Sequence, residues 1–438
     1  MNETSNLRQP TSRRRFIKTS SSAALVGVVG ARLEDSKSVF AQNSDTLRVG
    51  LIGCGGRGSG AASQALHADK NVVLTAMGDA FSNKLHGSLN ALQKEFPDRI
   101  KVDPDHCFVG LDAYQKVLAS GVDVVILATP PGFRPLHFKA AVDSNKHIFC
   151  EKPMATDSPG ARTVMAAVEE AKKKKLAVVA GFCWRYDYAR RALFQRIHEG
   201  AIGDIRALYH CYYTGPVKPM PPATDRPAGM SDVEWQLRNW YNFAWLSGDG
   251  YVEQAVHSVD KLAWAMRDLP PVKCTAVGGR QIPNNEGNIY DHIEVNYEYP
   301  HGVRAFVVHR QITNCYGGVY DHIMGAKGIA NITGRRGRQV DIAGAEEWFY
   351  SGPTPDMYQV EHDELFASIR AGTPINDGVR MCTSTLLAIM GRTAAYTGQE
   401  ISWDQALNSQ EKLVPDQLEW DMSLPIAPMA MPGRTRFG

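Results

Sequence analysis

The strongest signal for the fold is the stretch Val49-Gly50-Leu51-Ile52-Gly53-Cys54-Gly55-Gly56-Arg57-Gly58. Its first half is apolar, and Gly53, Gly55 and Gly58 then fit the spacing G-x-G-x-x-G. In a dinucleotide-binding turn the first glycine allows a tight bend, the second lets the backbone approach a pyrophosphate, and the third lets the next helix pack closely on the strand. The N-terminus of that helix then faces the anion. The stretch predicts a strand, a phosphate-binding turn and a helix, although a purely structural turn could share the spacing.

Short apolar runs alternate with helical stretches as far as residue 182, which is typical of βαβ units and a parallel sheet. The predicted strands cover residues 47–53, 72–77, 122–128, 147–150 and 177–182, and the predicted helices cover about 57–68, 82–95, 111–120, 133–144 and 157–173. Asp79 follows the second strand, 21 residues after Gly58, where a carboxylate can accept hydrogen bonds from an adenosine ribose. With no arginine adjacent, we expect NAD rather than NADP, because a carboxylate would repel a 2′-phosphate.

After residue 182 the pattern changes to one helix followed by longer β-branched and aromatic runs. The helix covers about 188–199, and the runs cover 205–213, 272–280, 289–299, 303–310 and 319–324. Their alternation and a turn at residues 300–302 predict a mostly antiparallel sheet. Five prolines between residues 216 and 227 mark a loop. The expected fold class is α/β, with a Rossmann domain at residues 42–182, an α+β domain at 183–415 and an extended tail at 416–438.

Residues 1–41 have the features of a twin-arginine export signal. They hold seven Lys or Arg against three acidic residues, and the paired arginines of Ser12-Arg13-Arg14-Arg15-Phe16-Ile17-Lys18 precede an apolar run at 23–31. That run is too short to cross a bilayer as a stable helix, and Val39-Phe40-Ala41 suits signal peptidase. We expect export in the folded state to the periplasm by the twin-arginine machinery, with the cofactor already bound, and no stable membrane span after processing.

Composition excludes several other classes of function. The 438 residues carry a formal charge of +2, without the basic excess that a nucleic-acid surface requires. The eight cysteines show no C-x-x-C spacing, so neither a zinc site nor a redox motif is expected, and no metal site is predicted. Two or three domains with a substantial core are expected from the length.

Three separated motifs carry a resemblance to a known family. They are the glycine turn, the tripeptide Glu151-Lys152-Pro153, and a segment from Gly248-Asp249-Gly250 to His257-x-x-Asp260. Together they make residues 46–400 similar to the Gfo/Idh/MocA oxidoreductases. The resemblance implies a Rossmann domain, a C-terminal domain whose open sheet face often builds dimers or tetramers, and oxidation of a sugar or polyol hydroxyl with NAD(P).

The resemblance also implies roles for individual residues. Lys152 matches the family's catalytic lysine. A nicotinamide cation nearby would disfavour a second positive charge, so the ammonium group would give up its proton more readily. His257, on a predicted helix of about 252–266, matches the histidine that contacts the reacting hydroxyl. Glu253 stands where the family usually has aspartate, one helical turn before His257. The alternatives to these catalytic roles are that Lys152 is a surface lysine before a turn and that His257 only packs under the second sheet.

The predicted cofactor contacts combine the glycine turn, the carboxyl edge of the sheet and the matched motifs. Arg185, after the last Rossmann strand, matches a family arginine near cofactor and substrate. Twin Tyr-Asp-His triplets at 290–292 and 320–322, together with Trp240 and Trp245, are weaker candidates for contacts to a sugar. The predicted contacts are Gly53, Gly55, Gly56, Arg57, Gly58, Asp79, Thr129, Pro130, His137, Glu151, Lys152 and Arg185.

Three functions follow from these residues. The first is hydride transfer between a tightly bound NAD and a hydroxyl carbon of a sugar, sugar derivative or polyol. The second is an NAD-dependent glycoside hydrolase, which oxidises the sugar transiently, eliminates the aglycone, adds water and reduces the product again. The third, a non-catalytic dinucleotide sensor, fits less well because Lys152 and His257 are both present.

Overall fold

The computed structural model describes residues 46–335 and 338–438. The expected export signal at residues 1–41 lies outside the described residues. No helix in the described part of the chain is long and apolar enough to cross a membrane.

The first half of the chain forms a six-stranded parallel sheet in the order β3-β2-β1-β4-β5-β6. Its strands are β1 (Leu47–Ile52), β2 (Val72–Asp79), β3 (Cys107–Val109), β4 (Val124–Leu127), β5 (His147–Cys150) and β6 (Val178–Ala180). The central β1 and β4 are buried on both faces because helices cover both sides, as their apolar runs predict. The sequence prediction missed β3, a three-residue edge strand.

The connecting helices of this half are α1 (Gly56–Ala68), α2 (Ser82–Glu95), α3 (Ala113–Ala119), α4 (Arg134–Asp143) and α5 (Ser158–Lys173). Each lies within two residues of its predicted range. α1 begins in the glycine turn, and α5 begins after Asp157, whose carboxylate accepts a hydrogen bond from the backbone N–H of Gly160 at 2.8 Å. The strand order reverses between β1 and β4, which is where a doubly wound sheet binds its ligands.

The second half begins with α6 (Tyr188–His198) and builds a nine-stranded sheet in the order β14-β13-β12-β11-β7-β10-β9-β8-β15. All neighbouring strands are antiparallel except β7 and β10, which confirms the mostly antiparallel prediction. The strands are β7 (Ile205–Thr214), β8 (Lys273–Gly279), β9 (His292–Glu298), β10 (Arg304–Gln311), β11 (Gly318–Gly325), β12 (Gly328–Arg335), β13 (Arg338–Gly344), β14 (Trp348–Phe349) and β15 (Ile401–Ser402).

Helices cover one face of this sheet and connect it to the first half. The remaining helices are α7 (Asp232–Arg238), α8 (Ala244–Ser247), α9 (Val256–Ala265), α10 (Met357–Arg370), α11 (Gly378–Thr397) and α12 (Trp403–Asn408). The long and almost wholly buried α11 packs against β8, β9, α9 and α5, so it links the two halves. A π-helical turn, Tyr251–Ala255, leads directly into α9.

The C-terminal segment 409–438 contains neither helix nor strand and lies along the protein. Apolar side chains of residues 413–426 pack with α7, α8 and the loops after β2, β3 and β4. Backbone groups of Leu424 anchor the segment: its carbonyl accepts from Gln236 Nε2 at 2.7 Å, and its N–H donates to Asp232 Oδ2 at 3.1 Å. This segment therefore stabilises the region around the carboxyl edge of the first sheet.

Candidate active site

One cavity of about 720 Å³ runs from the glycine turn to the π-helical turn and α9. The first half contributes the carboxyl ends of β1, β2 and β4, and the second half contributes β7, α7 and the start of α9. The cavity brings together thirteen of the residues proposed from the sequence: Gly53, Gly55, Gly56, Arg57, Gly58, Asp79, Thr129, Pro130, His137, Glu151, Lys152, Glu253 and His257.

The glycine turn fits a dinucleotide pyrophosphate. Gly53 has φ +97°, and a Cβ there would meet the Thr129 backbone nitrogen at 2.6 Å. A Cβ on Gly58 would collide with the Gly53 carbonyl, so the helix packs against the turn as its spacing predicts. Gly55 and Gly56 have no atom within 4 Å of an added Cβ, which leaves room for a ligand to approach their backbone. The turn can therefore hold the phosphates of NAD or NADP.

Asp79 lies at the end of β2 beside this turn. Its carboxylate accepts hydrogen bonds from the backbone N–H groups of Cys54 at 2.7 Å and Phe81 at 2.9 Å. Burial raises its pKa, although these two hydrogen bonds oppose the shift. The carboxylate is thus held at the cavity wall where an adenosine ribose would lie.

The loop after β4 forms the opposite wall around His137. Thr129 Oγ1 lies 3.1 Å from His137 Nδ1, and the imidazole stacks on Tyr114 with ring centroids 4.2 Å apart. Burial, followed by the charge of Arg134, lowers the pKa of His137 to about 3. Arg134 donates to the carbonyl of Thr129 at 2.8 Å and to that of Leu127, so a buried arginine orders this loop.

Arg57 connects the glycine turn to both halves of the protein. Its guanidinium pairs with Glu151 and, at 3.0 Å, with Glu361 of α10. Glu361 is fully buried, and burial followed by the charge of Glu151 raises the pKa of its carboxyl well above the ordinary value. Arg57 lines the cavity as predicted, but two carboxylates already hold its side chain.

Lys152 and Glu253 form a buried ion pair at the cavity wall. Lys152 Nζ lies 2.9 Å from Glu253 Oε1 and also donates to the Glu253 backbone carbonyl. The two residues are 9% and 7% exposed, and both line the cavity. The longer arm of Glu253 therefore reaches Lys152 from the π-helical turn.

His257 lies one helical turn beyond Glu253, at the start of α9. Its Nδ1 has no hydrogen-bond partner, and its ring faces Trp184, with centroids 5.1 Å apart. Burial, followed by the positive charge of Lys152, lowers the pKa of His257 well below 6.5. The imidazole is therefore neutral at physiological pH and can accept a proton.

Arg185 is not among the residues that line the cavity, which differs from the sequence prediction. The Arg185 side chain is 3% exposed and pairs with Asp260 at 2.9 Å and Asp268 at 2.5 Å. Ser384 Oγ also donates to Asp260 at 2.7 Å. Asp260 thus supports the packing of α9 against α11, and these partners direct the Arg185 guanidinium into the protein.

Sequence reasoning missed several residues of the second-half wall. Trp240 was a weak candidate and does line the cavity, whereas Trp245 does not. Two cationic side chains line this wall, Lys218 from the proline-rich loop and Arg238 from α7. The cluster of prolines is the only sequence feature that points to this part of the wall. The unpredicted residues on this wall include Tyr212, Lys218, Leu237, Arg238 and Gln254.

The Tyr-Asp-His triplets do not reach the cavity. Asp291 is buried and accepts from the backbone N–H groups of Gln281 at 2.8 Å and Ile282 at 2.9 Å. Asp321 is fully buried, pairs with Lys261 and lies 2.7 Å from His210 Nδ1. Both aspartates therefore satisfy structural contacts. In the described ranges no group of three or more His, Cys, Asp or Glu side chains could hold a metal ion.

A Rossmann turn that faces a lysine, a carboxylate and a neutral histidine across one cavity is the arrangement of a dinucleotide-dependent oxidoreductase. Residues 47–182 match the Gfo/Idh/MocA family profile, described as "Oxidoreductase family, NAD-binding Rossmann fold". Solved dehydrogenase and oxidoreductase structures share the fold over 82% of the chain, which extends beyond the first half.

Three known proteins illustrate the similarity. The inositol 2-dehydrogenase of Rhizobium meliloti is 24% identical over 347 residues, which cover 76% of this chain and 93% of that protein. The WlbA dehydrogenase of Bordetella pertussis, solved with NADH and UDP-GlcNAcA, has a TM-score of 0.62 at 19% identity, over 82% of this chain and 98% of that one. The aldose-aldose oxidoreductase of Caulobacter crescentus has a TM-score of 0.63 at 17% identity, over 82% and 99%.

Proposed function

We propose that this protein is an exported NAD-dependent dehydrogenase that transfers a hydride between a tightly held cofactor and a hydroxyl carbon of a sugar, sugar derivative or polyol. The observation that carries the proposal is the convergence of Lys152, Glu253 and His257 on the cavity that also contains the glycine turn. Relatives named inositol 2-dehydrogenase support the substrate class.

The proposed chemistry assigns each side chain a task. A dinucleotide held by the glycine turn would supply the acceptor for the hydride that leaves the hydroxyl carbon. His257 lines the cavity and can accept the hydroxyl proton at Nε2, because burial and the charge of Lys152 keep its imidazole neutral. Lys152 holds the hydroxyl oxygen by a hydrogen bond, and Glu253 fixes the lysine through its carboxylate and backbone carbonyl. Trp240 and Tyr212 offer aromatic faces to a sugar ring.

Asp79 supports NAD over NADP, because its carboxylate lies at the end of β2 where a 2′-phosphate would be repelled. The basic and apolar character of residues 1–41 supports export by the twin-arginine machinery. Since no NAD pool exists outside the cytoplasm to exchange with, the cofactor would be reset by a second substrate. We also propose a dimer or tetramer built on the open face of the second-half sheet.

The test begins with the protein purified from the periplasm and washed extensively. We expect denaturation to release near-stoichiometric NAD or NADH, identified by mass spectrometry, and pairs of sugars or polyols to be interconverted. Lys152→Met, purified in parallel, should retain the nucleotide but lose turnover. A protein that neither contains nor binds NAD or NADP contradicts the proposal. Incorporation of solvent ¹⁸O into a released sugar, without net oxidation, would support the glycoside hydrolase instead.

A further inference from the structure

The two oxygens of the Glu253 carboxylate face different partners. Oε1 lies 2.9 Å from Lys152 Nζ, and Oε2 accepts a hydrogen bond from Gln254 Nε2 at 2.6 Å. An ionised carboxylate can only accept hydrogen bonds, so the amide nitrogen of Gln254 must face it. The neighbouring glutamine therefore occupies the oxygen that the lysine leaves free.

The hydrogen-bond chain continues to β7. Tyr212 donates its hydroxyl proton to Gln254 Oε1 at 2.8 Å, which fixes the same orientation of the amide from its other end. Tyr212, Glu253 and Gln254 all line the cavity, and an unbroken chain runs from Tyr212 through Gln254 and Glu253 to Lys152. Tyr212 and Gln254 each donate to one acceptor in it, and the chain ends at a charged pair, where hydrogen bonds are strongest.

The π-helical turn makes this chain possible. In an α-helix, adjacent side chains do not face each other, yet Glu253 and Gln254 are hydrogen-bonded within Tyr251–Ala255. The Glu253 carbonyl in the same turn also accepts from Lys152. Single π-helical turns of this kind are frequent at functional sites.

We propose that Gln254 and Tyr212 are positioning residues, which hold the Glu253 carboxylate in the orientation that faces Lys152. Glutamate has one more rotatable bond than aspartate, so its carboxylate needs a second anchor to keep one orientation. Gln254 supplies this anchor, and Tyr212 secures Gln254. The role in catalysis rests on the proposed dehydrogenase function.

The first test measures the freedom of Lys152 without any substrate. The purified protein is treated with acetic anhydride at fixed pH, and the acetylation rate of Lys152 is followed by peptide mass spectrometry against exposed Lys139. An amine held by a carboxylate and a carbonyl reacts slowly. We expect Gln254→Leu and Tyr212→Phe to speed labelling about threefold or more, toward the rate in Glu253→Gln.

Matched controls come from the surface of the same chain. Gln195 also donates to a glutamate, Glu199, at 2.9 Å, and the hydroxyl of half-buried Tyr350 donates to the carbonyl of Pro353 at 2.7 Å. Gln195→Leu and Tyr350→Phe should leave Lys152 labelling unchanged. Equal Lys152 labelling in wild type, Gln254→Leu and Tyr212→Phe overturns the proposal, whether or not a substrate is known.

The second test uses turnover of the sugar or polyol identified above. We expect Gln254→Leu to lower kcat about tenfold without changing the Kd of NADH, because cofactor contacts are untouched. Glu253→Asp should lower kcat by a smaller factor in the Gln254→Leu background than in wild type, because the anchor is already lost. Full additivity of the two substitutions contradicts the proposed coupling. Altered labelling in a protein that oxidises no sugar or polyol would reject the dehydrogenase and retain the anchor.

Discussion

Two buried lysines pair with carboxylates, and the two pairs differ in what surrounds them. Lys152 pairs with Glu253 at the wall of the cavity, and both residues keep 7–9% of their surface exposed. Lys261 pairs with Asp321 inside the second half, at 1% and 0% exposure, and its ammonium lies 3.9 Å from the centroid of the Trp184 ring.

The difference separates a pair that lines a cavity from a pair that is enclosed by protein. Both oxygens of Asp321 are occupied by protein, one by Lys261 and the other by His210 at 2.7 Å. No ligand can reach this cluster without unfolding the sheet around it. The Lys152 pair instead borders a space large enough for cofactor and substrate. A buried lysine–carboxylate pair thus indicates chemistry only where a cavity reaches it.

The largest expected effect is on turnover. Lys152→Met should lower kcat by about 1,000-fold, because proton transfer or hydroxyl binding by a positioned side chain contributes 10²–10⁴ in rate. Steady-state kinetics and thermal unfolding check this together. Lys261→Met, the matched variant, should have the opposite profile, with lower stability and retained NADH binding. If Lys152→Met and Lys261→Met lost the same turnover and had the same stability, the distinction between the two pairs would be wrong.

The next effect is on stability. Asp321→Ala should lower the free energy of unfolding by about 3 kcal/mol or more, because it leaves Lys261 charged and unpaired in the core. Urea unfolding followed by circular dichroism measures the change. Asp204→Ala, on an aspartate whose side chain is 85% exposed beside Arg206, should change it little. Equal effects at the two positions would contradict the structural role of Asp321.

The stability of the enclosed pair should also depend on pH. Burial lowers the pKa of Lys261 to about 8 from 10.5, despite the attraction of Asp321. Between pH 8 and 10.5 the unfolded chain binds more protons at this position, so its contribution to stability rises with pH, by at most about 1.4 kcal/mol per unit. Below pH 8 Lys261 is protonated in both the folded and the unfolded chain, so its contribution to the free energy of unfolding does not change with pH. The difference in unfolding free energy between wild type and Lys261→Met, measured from pH 7 to 10, should show this slope.

A smaller effect should follow from shortening the carboxylate at the cavity. Glu253→Asp should lower kcat/KM about tenfold, because a shorter arm cannot contact Lys152 and Gln254 together. Substrate kinetics with unchanged NADH affinity would identify the cause. Glu364→Asp, in the half-buried pair with Arg191 outside the cavity lining, should have no measurable effect on turnover.

The smallest effect concerns cofactor retention. Trp420 packs on Phe81 with ring centroids 5.6 Å apart, and Phe81 lines the cavity beside Asp79. Trp420→Ala should speed NADH release about threefold, because Phe81 loses its support. Displacement followed by fluorescence measures the rate, with Met429→Ala in an exposed part of the same segment as control. An unchanged rate would show that Phe81 holds its place without the segment.

The first half could be predicted almost completely from sequence, because the glycine turn and the apolar runs are local signals that both point to one topology. β3, β14 and β15 have only two or three residues each and lie toward sheet edges, so they carry too few residues for a pattern.

At the site, the motifs placed Lys152, Glu253 and His257 on one cavity, but they did not predict their contacts. Periodicity predicts a helix over 252–266 and cannot distinguish a π-helical turn from an α-helical one at Tyr251–Ala255. Arg185 matched a motif yet pairs with Asp260 and Asp268, since its partners are 75 and 83 residues away in sequence. Contacts of this range depend on the packing of α9, which no local pattern contains.

The C-terminal segment has a consequence for biosynthesis. Residues 413–426 support the cavity wall at Phe81, more than 330 residues after that phenylalanine has left the ribosome. The Rossmann half can form early during translation, but the adenosine side of its pocket is supported only once the segment has been synthesised and docked. We therefore expect the proposed dinucleotide to be loaded late, and a ribosome-stalled chain that ends before residue 413 should bind NAD more weakly than the released protein.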